Sequence, residues 1–543
     1  MTQYDLKLDS SPPTKKSKKT RKVKKNIIPA NPIETKEAFV PSHYQAAIFE
    51  FAKNGQGNCL IEACAGGSKT TVLVELSKLI PQNESSIFLA FNKHIADHLS
   101  TRIPPTVQAK TFHGLCYGAL ANYYGGQLKV DKQKNYKILK SILKDDGFKL
   151  YEQGASKLSS LAKNHGVGIL LPDTEETWFN LIEHHGIGEK EYPGLTEKDY
   201  IELSRILFKK SLEAHEESID FDDMIYLCLL YPVEFKQYKW ILVDESQDVS
   251  SCQIEIIKKI VSANSRIWFS GDKNQSIYGF RGADVNSMDN LSKHFNCTEL
   301  PLSISYRCPK SVVRLAQKLV PSIEYRDNAP EGIVDWVRNF DARIFRPDDM
   351  ILCRNTKPLV QLAYNLISDN VGCHILGKDI GNSLIKIIEK VKVETTKELI
   401  PKLQKSFDRL VDKNIKNNVK SSLAEDNLAC AIFLAKRLDG KPVKDLASMI
   451  YKLFDDSRTG ILTLSTVHKA KGLEFDRVFI LDKKRYMPSK QAVLPHQIQQ
   501  EKNIEYVAIT RAKKELYFIS SAGYTTGFRE DDDVFDDVED LHK

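Results

Sequence analysis

Asp244 and Glu245 stand side by side behind the apolar run Trp240-Ile241-Leu242-Val243, with Gln247 and Asp248 just beyond. Adjacent carboxylates at one strand end suit a Mg²⁺ site joined to a water-activating base, because one can hold a hard cation while the other accepts a proton. A second run, Ile267-Trp268-Phe269, delivers Gly271, Asp272 and then Gln275, whose amide can report on a terminal phosphate. A third, NCLIEA (58–63), leads into the loop EACAGGSKTT (62–71) and a helix. Backbone amides of such a loop, with the helix N-terminus behind them, cradle phosphates. Lys69 would reach the β- and γ-phosphates, and the Thr70 hydroxyl would join the Mg²⁺ shell. Ala65, Gly66, Gly67, Ser68 and Thr71 complete the cradle. Together these groups imply a motor driven by ATP and Mg²⁺.

The loop departs from the usual phosphate-binding pattern. Gly67-Ser68-Lys69 stands where Ser-Gly-Lys is standard, and Ala63 replaces the first glycine. Glycine is favoured where φ is positive or where phosphate touches Cα, so Ser68 is expected to strain the loop and weaken ATP binding. The loop is expected still to bind ATP; an undetectable affinity that Ser68→Gly with Gly67→Ser restores would show the swap to be disabling.

The elements that must hold these groups are parallel strands, buried on both faces and delivering polar residues at their carboxyl ends. SIFLAF (86–91) is a further strand, and TTVLVELSKLI (70–80) is the helix after the loop. Residues 117–215 are rich in Lys, Leu and Glu at helical spacing and read as an insertion. Strand character returns at WILV and RIWF, at DDMILCRN (348–355), GILTLSTV (460–467), RVFIL (477–481) and ELYFIS (515–520). The expected fold class is α/β: two parallel-sheet cores, each with a mainly helical insertion. The expected boundaries are 1–36 for a disordered basic leader, 37–116 and 216–300 for the first core, and 117–215 for its insertion. The second core takes 301–360 and 456–525, its compact insertion 361–455, and an acidic tail 526–543.

Composition agrees with several soluble domains. A hydrophobic content of 42% and a charged content of 27% are ordinary, and no apolar run reaches the ~20 residues that cross a bilayer. The ten cysteines show no CxxC, which argues for reduced thiols and against a zinc or iron–sulfur module. The start of the chain has no signal-peptide core, so an intracellular, soluble protein with no membrane partner is expected. The +7 net charge is uneven: residues 1–36 hold ten Lys/Arg against three Asp/Glu, and 529–543 hold two against eight. The block from Lys15 to Lys25 reads as a nuclear address or a non-specific nucleic-acid tether. It fits a nucleus, a nucleoid or a viral replication site. The acidic tail around Phe535 reads as solvated.

Taken together, the segments resemble the UvrD/Rep/PcrA family of superfamily 1 DNA helicases. The resemblance runs from about residue 41 to 520. It is carried, in order, by Tyr44-Gln45, AGGSKTT, LAFNKHIADHL, TFHGL, DFDDM, VDESQD, GDKNQSIYGFRGA, SYRCP, LCRNTKPL, TVHKAKGLEFD and YVAITRAKKEL. The compact second insertion is similar to the F-box DNA helicase branch or to short phage and viral members, although the leader is expected to be too short for an F-box. The resemblance implies that Gln45 bonds the adenine edge and Tyr306 stacks on its face. Asp244 would hold the metal with Thr70, Glu245 would activate water, and Gln275 would sense the γ-phosphate. Arg307 and Arg511 would act as arginine fingers, a role that suits a planar, permanently charged group, and Glu474 would lie near the ribose. It also implies that the two cores are RecA-like parallel-sheet P-loop motor domains, and 3′→5′ polarity.

A DNA track is legible beside the ATP site. Tyr278 and Phe280 flank a glycine, with Arg281 next; aromatic faces beside a cation stack single-stranded bases without sequence preference. Phe91, Asn92, Thr111, Phe112, His113, Thr466 and His468 are further candidates on the two cores, with core packing the competing reading for Phe91 and Phe112. Asp220, Asp222 and Asp223 read as a helix N-terminal turn rather than a metal site. The stretch Arg477 to Lys484 reads as surface charge near the DNA groove.

The expected activity is an ATP-dependent 3′→5′ single-stranded DNA translocase and helicase serving repair, recombination or replication. Its partners would be single-stranded and tailed duplex DNA, with single-strand-binding or recombinase proteins beside them. Two alternatives stay open. One is a protein-displacing translocase that unwinds poorly; the other is a DNA-binding scaffold whose altered phosphate loop impairs hydrolysis.

Overall fold

The structure is a computed structural model that describes residues 40–143, 145–185, 187, 196–277, 286–416, 423–455, 461–490 and 492–525. Its frame is two six-stranded sheets, every adjacent pair of strands running parallel. The first sheet uses β1 (Asn58–Ala63), β2 (Ser86–Ala90), β3 (Val107–Thr111), β4 (Tyr238–Val243), β5 (Val261–Gly271) and β6 (Cys297–Leu302), in the order β3-β2-β4-β5-β1-β6. A small pair, β7 (Ile304–Ser305) and β8 (Glu324–Tyr325), follows. The second sheet uses β9 (Ile333–Val337), β10 (Met350–Cys353), β11 (Cys373–Ile375), β12 (Leu462–Thr466), β13 (Phe475–Leu481) and β14 (Ala512–Ile519), in the order β11-β12-β10-β13-β14-β9. Two parallel α/β sheets are therefore present, as the strand runs implied.

Alternation along the central strands builds the core. Ile61, Phe88, Leu242 and Trp268 pack on one face of the first sheet against Val72 and Leu73 of helix Lys69–Ser77. Leu60, Ile87, Ile241, Val243, Ile267 and Phe269 pack on the other against Leu227 and Ile256. Side chains two apart share a face, so a strand covered on both sides reads as a continuous apolar run. The second sheet repeats the device, with Ile351, Leu464 and Phe479 on one face and Leu352, Ile480 and Leu516 on the other.

Helices fill the connections. Six lie between β3 and β4 among the described residues, from Phe112–Tyr123 to Phe221–Leu230. Four lie between β11 and β12, from Lys378–Glu389 to Val443–Leu453. One expected boundary needs correction: β11 pairs with β12 (Cys373↔Leu462), so the second sheet extends beyond residue 361 and its helical insertion starts after Ile375. A second correction concerns Arg477. It is buried, bonding Asp349 at 2.9 Å and Glu515 at 2.9 Å, and ties β13 to β14 instead of lying on the surface. The basic leader and the acidic tail fall outside the described residues.

No helix among the described residues is long and apolar enough to cross a membrane. All ten cysteines are unpaired as disulfides, and no group of three or more His, Cys, Asp or Glu among the described residues could hold a metal.

Candidate functional site: a phosphate loop between two cores

β4, β5 and β1 are neighbours in the first sheet, so their carboxyl ends open onto one place. β1 ends in the loop that starts helix Lys69–Ser77. β4 ends at Asp244 and Glu245, and β5 ends at Gly271 and Asp272. Parallel strand ends are where open sheets bind ligands.

The side chains at these ends are bonded to one another. The Thr70 hydroxyl donates to Asp244 Oδ2 at 2.6 Å, and the Lys69 ammonium bonds Glu245 Oε2 at 3.2 Å. Gln247 donates to Glu245 Oε2 at 2.5 Å and accepts from the Asp272 amide at 3.0 Å. Gln275 donates to Asp272 Oδ2 at 2.6 Å. Gln247 thereby locks the orientation of Glu245 to the end of β5, a tie between positions far apart in the chain that spacing does not reveal.

The charges divide the labour. Burial pushes Asp244 above the usual carboxylate range and the adjacent Glu245 adds to it, against the opposing pull of Lys69 and the Thr70 bond. Burial would raise Glu245 as well, but Lys69, Lys471 and the Gln247 bond outweigh it and hold Glu245 low. Two neighbouring carboxyls driven apart in this way suit different tasks. The pairing of Asp244 with Thr70 supplies two hard oxygen ligands, which fits a Mg²⁺ ion bound to a triphosphate.

The loop itself is strained at one residue. Gly66 has φ +73, and a Cβ there would sit 2.6 Å from Arg307 Cβ, so glycine is required. Ser68 has φ 64 and ψ 29, left-handed backbone occupied by a residue with a Cβ. Its side chain makes no capping bond, so nothing local compensates. Gly67 has ordinary φ, but a Cβ there would meet the Leu302 carbonyl oxygen at 2.9 Å and that of Cys64 at 3.0 Å. The paired exchange is therefore a poor repair; Ser68→Gly alone relieves the strain.

The second core closes the site. The buried Arg511 donates to Gln275 Oε1 at 3.3 Å and is fixed by the Val507 carbonyl at 2.9 Å. Burial, then the nearby Arg307, lowers it to about 9. Arg307 donates to Glu474 at 2.5 Å and to the Thr510 carbonyl at 3.3 Å. Glu474, placed by resemblance near a ribose, here holds Arg307. Tyr306 donates to Gln45 Oε1 at 3.3 Å, and its amide donates to the Gly66 carbonyl at 2.9 Å. Gln45 also completes the cap of helix His43–Asn54 by accepting from the Ser42 amide at 2.9 Å.

Sequence reading assigned no role to several cross-core contacts. Lys471 bonds Asp248 at 2.6 Å and the Gln275 carbonyl at 2.7 Å. Asn503 donates to the Ser276 carbonyl at 2.9 Å, and Gln500 to that of Ile277 at 2.8 Å. The Ala65 amide donates to the Tyr506 hydroxyl at 2.9 Å. Lys471 and Tyr506 belong to the TVHKAKGLEFD and YVAITRAKKEL segments, whereas Gln500 and Asn503 lie in neither.

The expected DNA track is partly described. Ala90 pairs with Thr111, so Phe91 and Asn92 lie beside Thr111, Phe112 and His113 at adjoining strand ends. Phe91 is 38% exposed. Phe112 is buried in the core; its ring offers no face to a base, which corrects that expectation. The Asn92 and Thr111 side-chain oxygens cap the helices that follow them. His113 packs edge-on to Phe221 at 5.8 Å, and burial lowers its pKa against the pull of Asp222. Thr466 ends β12, with His468 two residues on, both half-buried. Tyr278, Phe280 and Arg281 lie outside the described residues.

Comparisons with known proteins agree with this geometry. The UvrD/REP helicase N-terminal domain matches residues 45–296 and the UvrD-like helicase C-terminal domain matches 462–519. The F-box DNA helicase protein 1 of Schizosaccharomyces pombe is 27% identical over 495 residues, which is 84% of this chain and 55% of that protein. A probable DNA helicase II homolog of Mycoplasma genitalium is 25% identical, covering 85% of this chain and 82% of its own length. The ATP-dependent DNA helicase Rep of Buchnera aphidicola is 27% identical over 49% of this chain and 41% of its own. The chain thus spans about half of the yeast relative and most of the mycoplasma one. With two parallel cores meeting at a lysine loop, and both family domains matched in order, the chain belongs to the UvrD-like family of superfamily 1 helicases.

Proposed function

We propose that this protein is an ATP-dependent DNA helicase that moves along single-stranded DNA in the 3′→5′ direction and separates tailed duplexes. The observation that carries it is the convergence of Lys69, Asp244, Glu245 and Gln275 from the first core with Arg511 from the second. Bound phosphates would draw the Lys69 ammonium away from Glu245. Losing that cation raises the proton affinity of Glu245, which then accepts a proton from the attacking water. Thr70 and Asp244 would hold Mg²⁺, which neutralises charge on the phosphates when bound. Arg511, already bonded to Gln275, would stabilise charge on the transferred group, so that hydrolysis requires a closed cleft. Arg307 would join it on release from Glu474. Gln45 and Tyr306 sit together where an adenine edge and face would be read. Opening and closing of the cleft would ratchet DNA across the ends of β2, β3 and β12, with Phe91 and the Tyr278–Arg281 segment as stacking groups.

The test is a strand-polarity assay on duplexes with 3′ or 5′ tails, run with ATP and Mg²⁺. Unwinding from the 3′ tail alone is expected, and a preference for the 5′ tail would reverse the polarity. The left-handed Ser68 motivates a second reading, a DNA-binding scaffold with impaired ATPase. ATP hydrolysis that does not respond to oligo-dT would favour it. Service in repair, recombination or replication, and clearance of proteins from DNA, are tasks such a motor could perform. Comparing filament removal with duplex unwinding distinguishes them.

A further inference from the structure

Helix Pro495–Ile509 of the second core lies against two first-core loops at once. Its Gln500 and Asn503 hold the carbonyls of Ile277 and Ser276 after β5, while Tyr506 reaches the phosphate loop. The Ala65 amide is fully buried, and among the described residues the Tyr506 hydroxyl is its one acceptor, at 2.9 Å. One residue on, the Gly66 carbonyl accepts from the Tyr306 amide at 2.9 Å. The loop is therefore gripped at consecutive residues by two tyrosines beyond the first sheet. Cys64 and Ala65 also pack into the same apolar cluster as Tyr506, Val507 and Ile509.

A buried amide stripped of its acceptor carries its full desolvation penalty. Movement of the helix away from the loop must orphan Ala65 or let water in. The loop geometry that cradles phosphate is thus linked to the position of the second core by one hydroxyl. We propose that Tyr506 is a positioning residue for ATP hydrolysis: its hydroxyl makes the docked second core hold the phosphate loop in its working shape. The proposal rests on the ATPase reading given above. Burial raises the Tyr506 pKa well above the ordinary tyrosine value, so the group stays a neutral phenol throughout the working range.

Tyr506→Phe keeps the buried ring and removes only the oxygen. Arg511, the arginine finger, acts through the docked core, so the loss should fall on turnover more than on ATP capture. The DNA-stimulated kcat is expected to drop roughly three- to tenfold, the range one net hydrogen bond supplies, with KM for ATP and the melting temperature little changed. A kcat within twofold of the unaltered protein overturns the proposal. Parallel losses in kcat, KM and melting temperature also overturn it, because they would mark a packing role. Lys69→Ala is run in the same series: if it hydrolyses ATP normally, or the unaltered protein hydrolyses none, the ATPase reading itself falls and takes this one with it.

Discussion

Two buried clusters in this protein are built from the same ingredients, lysines against aspartates and glutamates, and they behave as opposites. One lies in the first insertion. Lys163 bonds Asp223 at 2.6 Å, Ser211 at 2.9 Å and Asp220 at 3.3 Å. Lys134 bonds the other Asp223 oxygen at 2.7 Å. Asp220 and Asp223 cap helix Phe221–Leu230 reciprocally. Asp222 accepts from Ser160 at 2.5 Å and Asn164 at 3.0 Å. The other cluster is the proposed ATP cleft. There Lys69 makes one bond among the described residues, at 3.2 Å. Ser68 and Glu245 have positive φ, and Asp248 Oδ1 is buried without a partner. The insertion cluster is saturated on regular backbone and pins four helices. The cleft cluster is under-bonded on strained backbone, with capacity left for phosphate and metal, and stored strain of this kind gathers at working sites.

The sharpest way to break this contrast is to remove one charge from each. Glu245→Gln or Lys69→Ala should lower DNA-stimulated kcat by about 10²–10⁴-fold, the span attributed to a general base, while single-strand binding by anisotropy persists. Normal turnover in either variant would deny the cleft its role. Lys163→Met should do the reverse. It leaves Asp220 without its lysine and Asp223 with Lys134 alone, and should cost about 3–5 kcal/mol of stability, read by denaturant unfolding. ATPase per folded molecule should stay unchanged. A catalytic defect in folded Lys163→Met would mean that the insertion cluster is part of the motor.

A smaller effect should appear on titration. Burial and Glu245 raise the pKa of Asp244. An aspartate must be ionised to bind a cation, so protons compete with Mg²⁺ as pH falls through the raised value. The sign for folding is opposite: a raised carboxylate favours the native state while protonated and loses that contribution as pH increases. The acid limb of kcat/KM for ATP should therefore lie above the ordinary aspartate range near ~3.9, falling about tenfold per pH unit below it. A limb at or under that ordinary value would remove Asp244 from metal binding.

The same physical difference decides how much could be read from the chain. Central strands such as WILV and NCLIEA are covered on both faces and show as unbroken apolar runs. Within the two six-stranded sheets, the strands with no such run, β3, β6, β9 and β11, are the four edges. β3 carries Gln108 and Lys110, and β6 carries Glu299 and Pro301; β9 leaves Ile333 and Trp336 exposed. An edge strand needs only one covered side, so its pattern fades. The DFDDM aspartates were legible as a helix cap, but not their lysines, which come from Lys134 and Lys163 on other helices. Likewise Lys69, Asp244 and Glu245 follow from strand-end logic, whereas Lys471 and Tyr506 matter through contacts that no local spacing encodes. Phe112 follows the core-packing alternative, because the residue after an edge strand can turn inward as easily as out.

Ser68 is where the comparison can be sharpened most finely. Left-handed backbone costs a residue with a Cβ roughly 1–2 kcal/mol, and the Ser68 side chain makes no capping bond in return. Ser68→Gly removes that cost but adds about 0.4–1 kcal/mol of unfolded-chain entropy, so the net gain in stability should lie between about 0 and 1.6 kcal/mol. Nucleotide affinity should rise by a few-fold at most, because the loop no longer resists the shape that phosphate requires. Gly67→Ser should act in the other direction, since its Cβ would press on the backbone oxygens of Leu302 and Cys64. The double exchange must then bind ATP more weakly than Ser68→Gly alone, although it reproduces the common Ser-Gly-Lys order. Titration with a fluorescent ATP analogue separates the two. If the double exchange binds more tightly, the strain lies at Gly67, and the cleft owes its under-bonded state to something other than Ser68.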